Sequence, residues 1–381
     1  MTDSPRTAHI ALTSYDLETG GISRVAVYLA NGFAAAGHAV TLVLCNAKGD
    51  LHETLAAELA DGVDLVLMQD QRARSRAWGQ VRSFRAMRRW LRAARPDAVL
   101  GTSNNISWFT GLALAGLGGK RPALFIKTTN PILRRGDGPL LTALRRAGYA
   151  RLFGAAKAVL TLSEAESRVL AAQFPQQADR FQAVFNPYVT PAFLAAQPMM
   201  GVPDDRPLLL GLGRLSPQKN FARLIRAFAL ARAQVRPDHP LAHAHLMIAG
   251  EGPLRGELEA LVAQLGLEQA VSLPGFAADV PGLFARTSRF VLSSEYEGLP
   301  AVVIEALGSG RAVVATDCFA AARELLGGLP ACKVCDLSVE ALASALMASM
   351  AETPIPEHLR ARAGNYSLPN AVASHLSLIV G

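Results

Sequence analysis

Short apolar runs alternate with amphipathic stretches along nearly the whole of this chain, and that grammar leaves few folds open. In the first half the runs fall at residues 9–14, 39–45, 63–68, 98–103, 123–128 and 158–163. Between them lie stretches of helical period; residues 22–36 place Ile22, Val25, Ala26, Leu29 and Phe33 on one face. Strand and helix in alternation predict a parallel sheet covered on both faces. The second half repeats the pattern, with runs at 208–212, 245–249, 271–273, 289–293 and 312–316. Residues 194–207 are proline-rich and lack periodicity, which makes them the expected linker. The prediction is an α/β protein of two doubly wound domains, for which 381 residues is about the right length. Two such sheets in one chain are expected to face each other across a cleft. Ligands of open α/β sheets sit beyond the carboxyl ends of the strands, so functional residues are expected there.

Composition narrows the setting. Half the residues are apolar, enough to bury two cores. The opening residues MTDSPRTAHIALTS have no basic stretch leading into a long apolar run, and no later segment reaches about 18 uninterrupted apolar residues. Neither a signal peptide nor a membrane span is expected. Four cysteines cannot form a disulfide framework, and Cys332 with Cys335 makes a single CxxC without a second pair to complete a zinc site. Reduced thiols in a cytoplasmic protein are the expectation. Charge is unevenly divided: residues 1–199 carry a net +9 and residues 200–381 a net −2. Much of the excess lies in residues 72–95, which hold nine arginines and no acid. In helical phase Trp78, Val81, Phe84, Met87 and Leu91 share one side, and Arg82, Arg85, Arg89 and Arg92 another. Such a helix suits an anionic membrane surface or acceptor, although a sheet-packing helix with a solvated face reads the same way. Few aromatics and no recognised module argue against a nucleic-acid binder.

Four stretches carry candidate chemistry. LLLGLGRLSPQKN, residues 208–220, is a strand followed by Gly211 and Gly213 and then by Arg214 and Lys219. Glycines allow a sharp turn and close backbone approach, and two cations five residues apart can converge on a diphosphate. It is not a dinucleotide fingerprint, because Ser216 stands where GxGxxG needs its third glycine. IAGEGPLRGELEAL, residues 248–261, is a second strand ending in glycines, Gly250 and Gly252. In SSEYEGLPAVVIEALGSG, residues 293–310, a strand gives way to Glu297, Gly298 and Leu299, and Pro300 suits the first helical position. The free N–H groups of that first turn form an anion site, flanked by Glu297 and, roughly 7.5 Å further along, by Glu305. Near the amino end, TSYDLETGGISR, residues 13–24, empties the first strand into Gly20 and Gly21 before a helix. Each alone is matched by an ordinary βα turn or a solvated helix face. There is no Walker sequence, HExxH, GxSxG or Asp-x-Asp, and no metal site is expected; His243 and His245 read as strand-start residues.

Taken in order, GRLSPQKN, the GEGP turn and EYEGLPAVVIEAL resemble the retaining glycosyltransferases of family four, most strongly over residues 208–316. The resemblance implies the GT-B fold: a Rossmann-like acceptor-binding domain over residues 1–198, a donor-binding one over 199–368, and a last helix, 369–381, returning to the first. It implies that Glu305 binds the ribose of a nucleotide sugar and Glu297 the hydroxyls of its sugar, with Arg214 and Lys219 on the diphosphate. Gly20, Gly21 and Gly213 then line the donor, with the nucleobase near Pro274, Phe276, Gly250 and Gly252. It further implies transfer of a hexose-type sugar with retention, without metal or resident cofactor, to a lipid-linked or saccharide acceptor in cell-surface polysaccharide, lipopolysaccharide or glycolipid synthesis. A cytoplasmic enzyme, peripheral at the inner face of the membrane, fits that role. One departure stands out: many members place a His where the fifth strand ends, and here IKTTNP, residues 126–131, puts Thr128 or Thr129 there. A nucleotide-sugar isomerase of the same fold, or a silent sugar-nucleotide binder, would share these features.

Overall fold

The structure is a computed structural model that describes residues 7–17, 21–46, 52–68, 76–118, 121–133, 137–190, 193 and 206–381, without the side chains of 52–54 and 76–81. The linker expected at 194–207 lies almost wholly outside the described residues. The chain divides into two compact units, residues 1–188 with 367–381, and residues 189–366.

The first unit is built on seven parallel strands, β1 (His9–Ser14), β2 (Ala39–Leu44), β3 (Val63–Leu67), β4 (Ala98–Gly101), β5 (Ala123–Lys127), β6 (Ala158–Thr161) and β7 (Phe181–Ala183), ordered β3-β2-β1-β4-β5-β6-β7. The helices are α1 (Gly21–Ala35), α2 (His52–Ala57), α3 (Arg76–Ala94), α4 (Asn104–Leu114), α5 (Pro139–Ala155) and α6 (Glu164–Gln173). Alternate residues of each strand feed opposite cores, as the pleat demands. Ile10, Leu12, Val40, Leu42, Leu100, Phe125 and Leu160 pack with α1, whereas Ala11, Val43, Val99, Ile126 and Val159 pack with α3, α4, α5 and α6. That two-sided burial is why the strands read as unbroken apolar runs.

The second unit has six parallel strands, β8 (Leu208–Leu212), β9 (His245–Ala249), β10 (Val271–Gly275), β11 (Arg289–Leu292), β12 (Ala312–Thr316) and β13 (Lys333–Cys335), ordered β10-β9-β8-β11-β12-β13. Its helices are α7 (Phe221–Gln234), α8 (Arg255–Gln264), α9 (Val280–Ala285), α10 (Ala301–Gly308), α11 (Ala322–Leu326), α12 (Val339–Met350) and α13 (Pro356–Gly364). Both sheets have the doubly wound order, which reverses direction between β1 and β4 in one unit and between β8 and β11 in the other. Two strands were not expected from sequence, β7 and β13. Each is a three-residue edge strand, too short for a period-two or apolar-run signal.

The final helix, α14 (Leu368–Ile379), belongs to the first unit. Ala371, Val372, Leu376 and Ile379 join the core that α1 covers, and a Cβ at Gly32 of α1 would stand 2.2 Å from Val372 Cγ2. Beneath this contact Lys127 Nζ, at the end of β5, donates to His375 Nε2 at 2.9 Å, with both side chains fully buried. The other ring nitrogen, Nδ1, donates to the Ala371 carbonyl at 2.8 Å, which leaves Nε2 as the acceptor.

Burial pushes the Lys127 ammonium from its ordinary 10.5 down to about 7, opposed by the nearby Glu166 carboxylate. Burial, with Lys127 second, holds His375 well below 6.5. A cation whose pKa is depressed by folding binds its proton more readily in the unfolded chain, so stability rises with pH between the two values. The Lys127 contribution is complete above pH 10.5 and is lost as pH falls to about 7; that of His375 is complete above 6.5 and lost below it. Lys127→Met removes the first component. Thermal melts between pH 7 and 9 are expected to show the variant's melting temperature climbing less steeply than wild type, and parallel curves would refute a lysine buried uncharged.

Candidate active site

The reversal of strand order between β8 and β11 opens the loops that follow them to each other. The loop after β8 carries Arg214, Gln218 and Lys219; the loop after β11 carries Ser294, Glu295 and Glu297. The two are knitted together by backbone and side chain. Glu295 N donates to the Gln218 carbonyl at 2.8 Å, Gln218 Nε2 to the Tyr296 carbonyl at 3.0 Å, and Ser293 Oγ to the Lys219 carbonyl at 2.9 Å. On this frame Lys219 Nζ meets Glu297 Oε1 at 2.7 Å, with side-chain exposures of 19% and 10%. Ser294 Oγ donates to the same oxygen at 2.7 Å, and Glu297 N donates to the Cys318 carbonyl at 2.9 Å. The ammonium and carboxylate are thus fixed in position and shielded from water. Arg214, in the same loop as Lys219, is exposed, and no described residue bonds its guanidinium.

Sequence reasoning missed the residues that build this frame. Asn220 adopts the left-handed conformation, φ 42°, and its side chain caps α7 by accepting from Arg223 N. Arg223, buried, donates to the Ser293 carbonyl at 3.0 Å and pairs with Glu295. An Asn directly before an apolar helical run is a capping signal that marks where the loop must end. Nothing in the spacing pointed to Arg223 or Ser294.

The glycines have a packing reason. Gly213 and Gly250 both sit at φ +148°, and a Cβ on Gly250 would stand 1.9 Å from the Gly213 carbonyl oxygen. A Cβ on Gly252 would stand 2.3 Å from the Leu215 carbonyl oxygen. The loops after β8 and β9 therefore run in backbone contact, joined by Gly213 N to the Ala249 carbonyl at 3.0 Å and Leu215 N to the Glu251 carbonyl at 2.8 Å. Arg255 ties the loop after β9 to β10 itself, bonding Glu251 and the Leu273 carbonyl.

Helix α10 starts at Ala301, so Pro300 occupies the N-cap rather than the first helical position, and Gly298 and Leu299 lead into it. Glu305 is 5% exposed, which rules out a solvated helix face for it. At the other edge, Phe276 is 77% exposed over a cavity of about 550 Å³ that Ala249, Pro274, Gly275 and Arg286 help to line. Gly250 and Gly252 belong to the loop directly after Ala249.

In the first unit Gly21 opens α1, while Gly20 lies outside the described residues. Thr128 is fully buried and Thr129 only partly. Asn104 spans the loops after β4 and β5, accepting from Thr129 N at 3.1 Å and donating to the Asn130 carbonyl at 2.9 Å. On α3, Arg82, Arg85, Arg89 and Arg92 form an exposed stripe, and Met87 and Leu91 are buried in the core; the side chains of Trp78 and Val81 lie outside the described residues. Burial pushes the thiols of Cys45 and Cys318 up to about 12, which keeps both protonated and unreactive. Among the described residues no group of three or more His, Cys, Asp or Glu is placed to hold a metal ion, and no helix is long and apolar enough to cross a membrane.

Comparison with known proteins agrees with this architecture. Residues 19–190 match the model described as Glycosyltransferase Family 4, and residues 206–352 the model described as Glycosyl transferases group 1. The chain belongs to the family-four glycosyltransferases of GT-B fold. Over 119 residues it is 40% identical to the N-acetylgalactosamine-N,N'-diacetylbacillosaminyl-diphospho-undecaprenol 4-alpha-N-acetylgalactosaminyltransferase of Campylobacter jejuni, covering 31% of this chain and 30% of that protein. Over 126 residues it is 31% identical to the lipopolysaccharide core biosynthesis glycosyltransferase LpsD of Rhizobium meliloti, covering 33% and 34%. These alignments span about a third of each relative's length. HepE of Anabaena, solved in complex with UDP and glucose, shares the fold at TM-score 0.71 and 18% identity, over 97% of this chain and 98% of that one.

The loop contact gives a direct test. Gly250→Ala drives a methyl group into the Gly213 carbonyl and strains a positive φ, at a cost of about 3 kcal/mol or more. Thermal unfolding should show a melting temperature lower by roughly 5–10 °C. Gly256→Ala in α8, where a Cβ meets open space, should be neutral or stabilise by up to about 1 kcal/mol. Equal effects would show that the loops are not in backbone contact.

Proposed function

We infer that this protein is a glycosyltransferase that takes a hexose-type sugar from a nucleotide diphosphate and passes it, with retention of configuration, to a lipid-linked or saccharide acceptor of a cell-surface polysaccharide or lipopolysaccharide. The observation that carries this reading is the convergence of Lys219 and Glu297 at the β8/β11 reversal, 78 residues apart in sequence and 2.7 Å apart in space. A carboxylate for hydroxyls beside an ammonium for phosphate is the pairing a sugar diphosphate requires.

The chemical problem is breaking a glycosidic bond so that a nucleoside diphosphate leaves. Negative charge grows on the departing phosphate oxygen, and groups that bind it better then than before lower the barrier. Lys219, the exposed Arg214 and the N–H groups opening α10 have that role. Together they supply the positive charge that a metal would otherwise bring, so the reaction proceeds without one. Glu297, held by Ser294, orients the sugar hydroxyls and stabilises the electron-deficient ring carbon; it does not attack it. The departing phosphate accepts the acceptor's proton on the face it leaves, which preserves configuration. Glu305 receives the ribose hydroxyls, and the cavity under Phe276 receives the nucleobase. The arginine stripe of α3 faces an anionic acceptor or membrane. Support for the acceptor class comes from relatives whose names specify a diphospho-undecaprenol substrate and lipopolysaccharide core synthesis.

Steady-state kinetics with a panel of nucleotide sugars test these roles. Lys219→Ala is expected to lower kcat by about 10²–10³, while Glu305→Ala raises the donor KM with a smaller effect on kcat. Turnover near wild type in Lys219→Ala would remove the diphosphate role, and an unchanged KM in Glu305→Ala would remove the ribose role. A chelator should leave the rate unaffected.

A further inference from the structure

We propose that the first two turns of α5 insert into the surface of an anionic lipid bilayer, with Leu140, Leu141 and Leu144 entering the acyl boundary and neighbouring arginines meeting the headgroups. The proposal deepens the membrane part of the functional reading and rests on it.

Helix α5 is divided along its length. Its buried residues, Tyr149, Leu152 and Phe153, all lie in the second half, where Trp108, Phe174 and Phe181 pack around them. The first half has no buried residue, yet it is leucine-rich: Leu140 is 75% exposed, Leu141 48% and Leu144 63%. Leu140, Ala143, Leu144 and Ala147 fall at helical spacing on one outward face, with Leu141 adjoining it. A folded chain seldom turns consecutive leucines outward unless something apolar covers them.

Charge identifies what covers them. Helices α3, α4 and α5 line one side of the first sheet with α6; the sequences of the first three contain nine arginines and no acid, and α6 adds Glu164, Glu166 and Arg168. Arg145 is neutralised by Asp137 at 2.9 Å, and Arg88 is engaged with the Ala115 carbonyl. Arg82, Arg85, Arg89, Arg92, Arg146 and Arg151 remain exposed. Exposed leucines beside three helices whose charges are all basic match a bilayer containing anionic lipid, which offers hydrocarbon and negative charge at adjacent depths. A second copy fits worse, because a two-fold contact through these helices would set arginines against arginines. The same facts divide the labour between helices. The apolar side of α3 is occupied by the core, so α3 contributes charge alone, and on this side α5 is where exposed leucines cluster, Leu112 of α4 and Val169 of α6 standing singly.

The test is co-sedimentation of the full chain with phosphatidylcholine vesicles, with and without phosphatidylglycerol. Wild type should bind the phosphatidylglycerol vesicles, and Leu140→Ser/Leu141→Ser/Leu144→Ser should bind them about tenfold more weakly or worse with an unchanged melting temperature, since these side chains already face solvent. Leu144→Trp should show blue-shifted emission on the vesicles and quenching by brominated acyl chains. Equal binding by wild type and the triple variant, or a tryptophan that stays in water, would overturn insertion by α5 while leaving contact through the α3 arginines standing. No binding by wild type would overturn the membrane reading as a whole. Concentration-dependent dimerisation that the triple variant abolishes, without vesicle binding, would assign the face to a second copy instead.

Discussion

Every described strand in both sheets runs parallel, and the arrangement of the candidate site residues depends on that constraint. Parallel strands bring all their carboxyl ends to one edge, so residues scattered through the sequence are delivered to the same rim. In the second unit the order reverses between β8 and β11, and the crossovers lead away from that point on either side. The loops there are free to approach each other. Lys219 and Glu297 meet for this reason, and the backbone contact of Gly213 with Gly250 sets how close the next loop comes.

The first unit uses the same order for a different purpose. Its core on one side is closed by α1 together with α14, which is contributed from the far end of the chain. The join is made by packing, Val372 over Gly32, and by a hydrogen bond between two bases whose protonation burial disfavours. Above about pH 7 a neutral donor and acceptor replace two potential cations, which avoids the desolvation cost of a buried charge. The opposite side of the sheet carries the arginine-rich helices, so the unit has a sealed face and a basic one.

Much of this was legible in the sequence because the physics is local. Two-sided burial writes itself as apolar runs, and helices write themselves as 3.6-residue periods, so eleven of thirteen strands could be placed; β7 and β13 escaped because three edge residues carry no period. Arg214, Lys219, Glu297 and Glu305 could be singled out as candidates because the first three lie in glycine- or proline-containing loops after strands and the fourth in the helix that follows one. The partners that hold them could not, since Ser294 and Arg223 act through contacts that only the folded loops create. The exposure of Leu140, Leu141 and Leu144 was hidden for the opposite reason. A leucine-rich helix reads as a core helix until the sheet is seen to cover only half of it.

The central claim is that Lys219 and Glu297 form a site for a sugar-linked diphosphate, and calorimetric titration of the full chain with nucleoside diphosphates and their monophosphates addresses it most directly. One diphosphate should bind at least about tenfold more tightly than its monophosphate, a difference of about 1.4 kcal/mol, and Lys219→Ala should erase that difference while leaving the monophosphate unaffected. Equal affinity for diphosphate and monophosphate in wild type, or a preference that survives in the variant, would contradict the account.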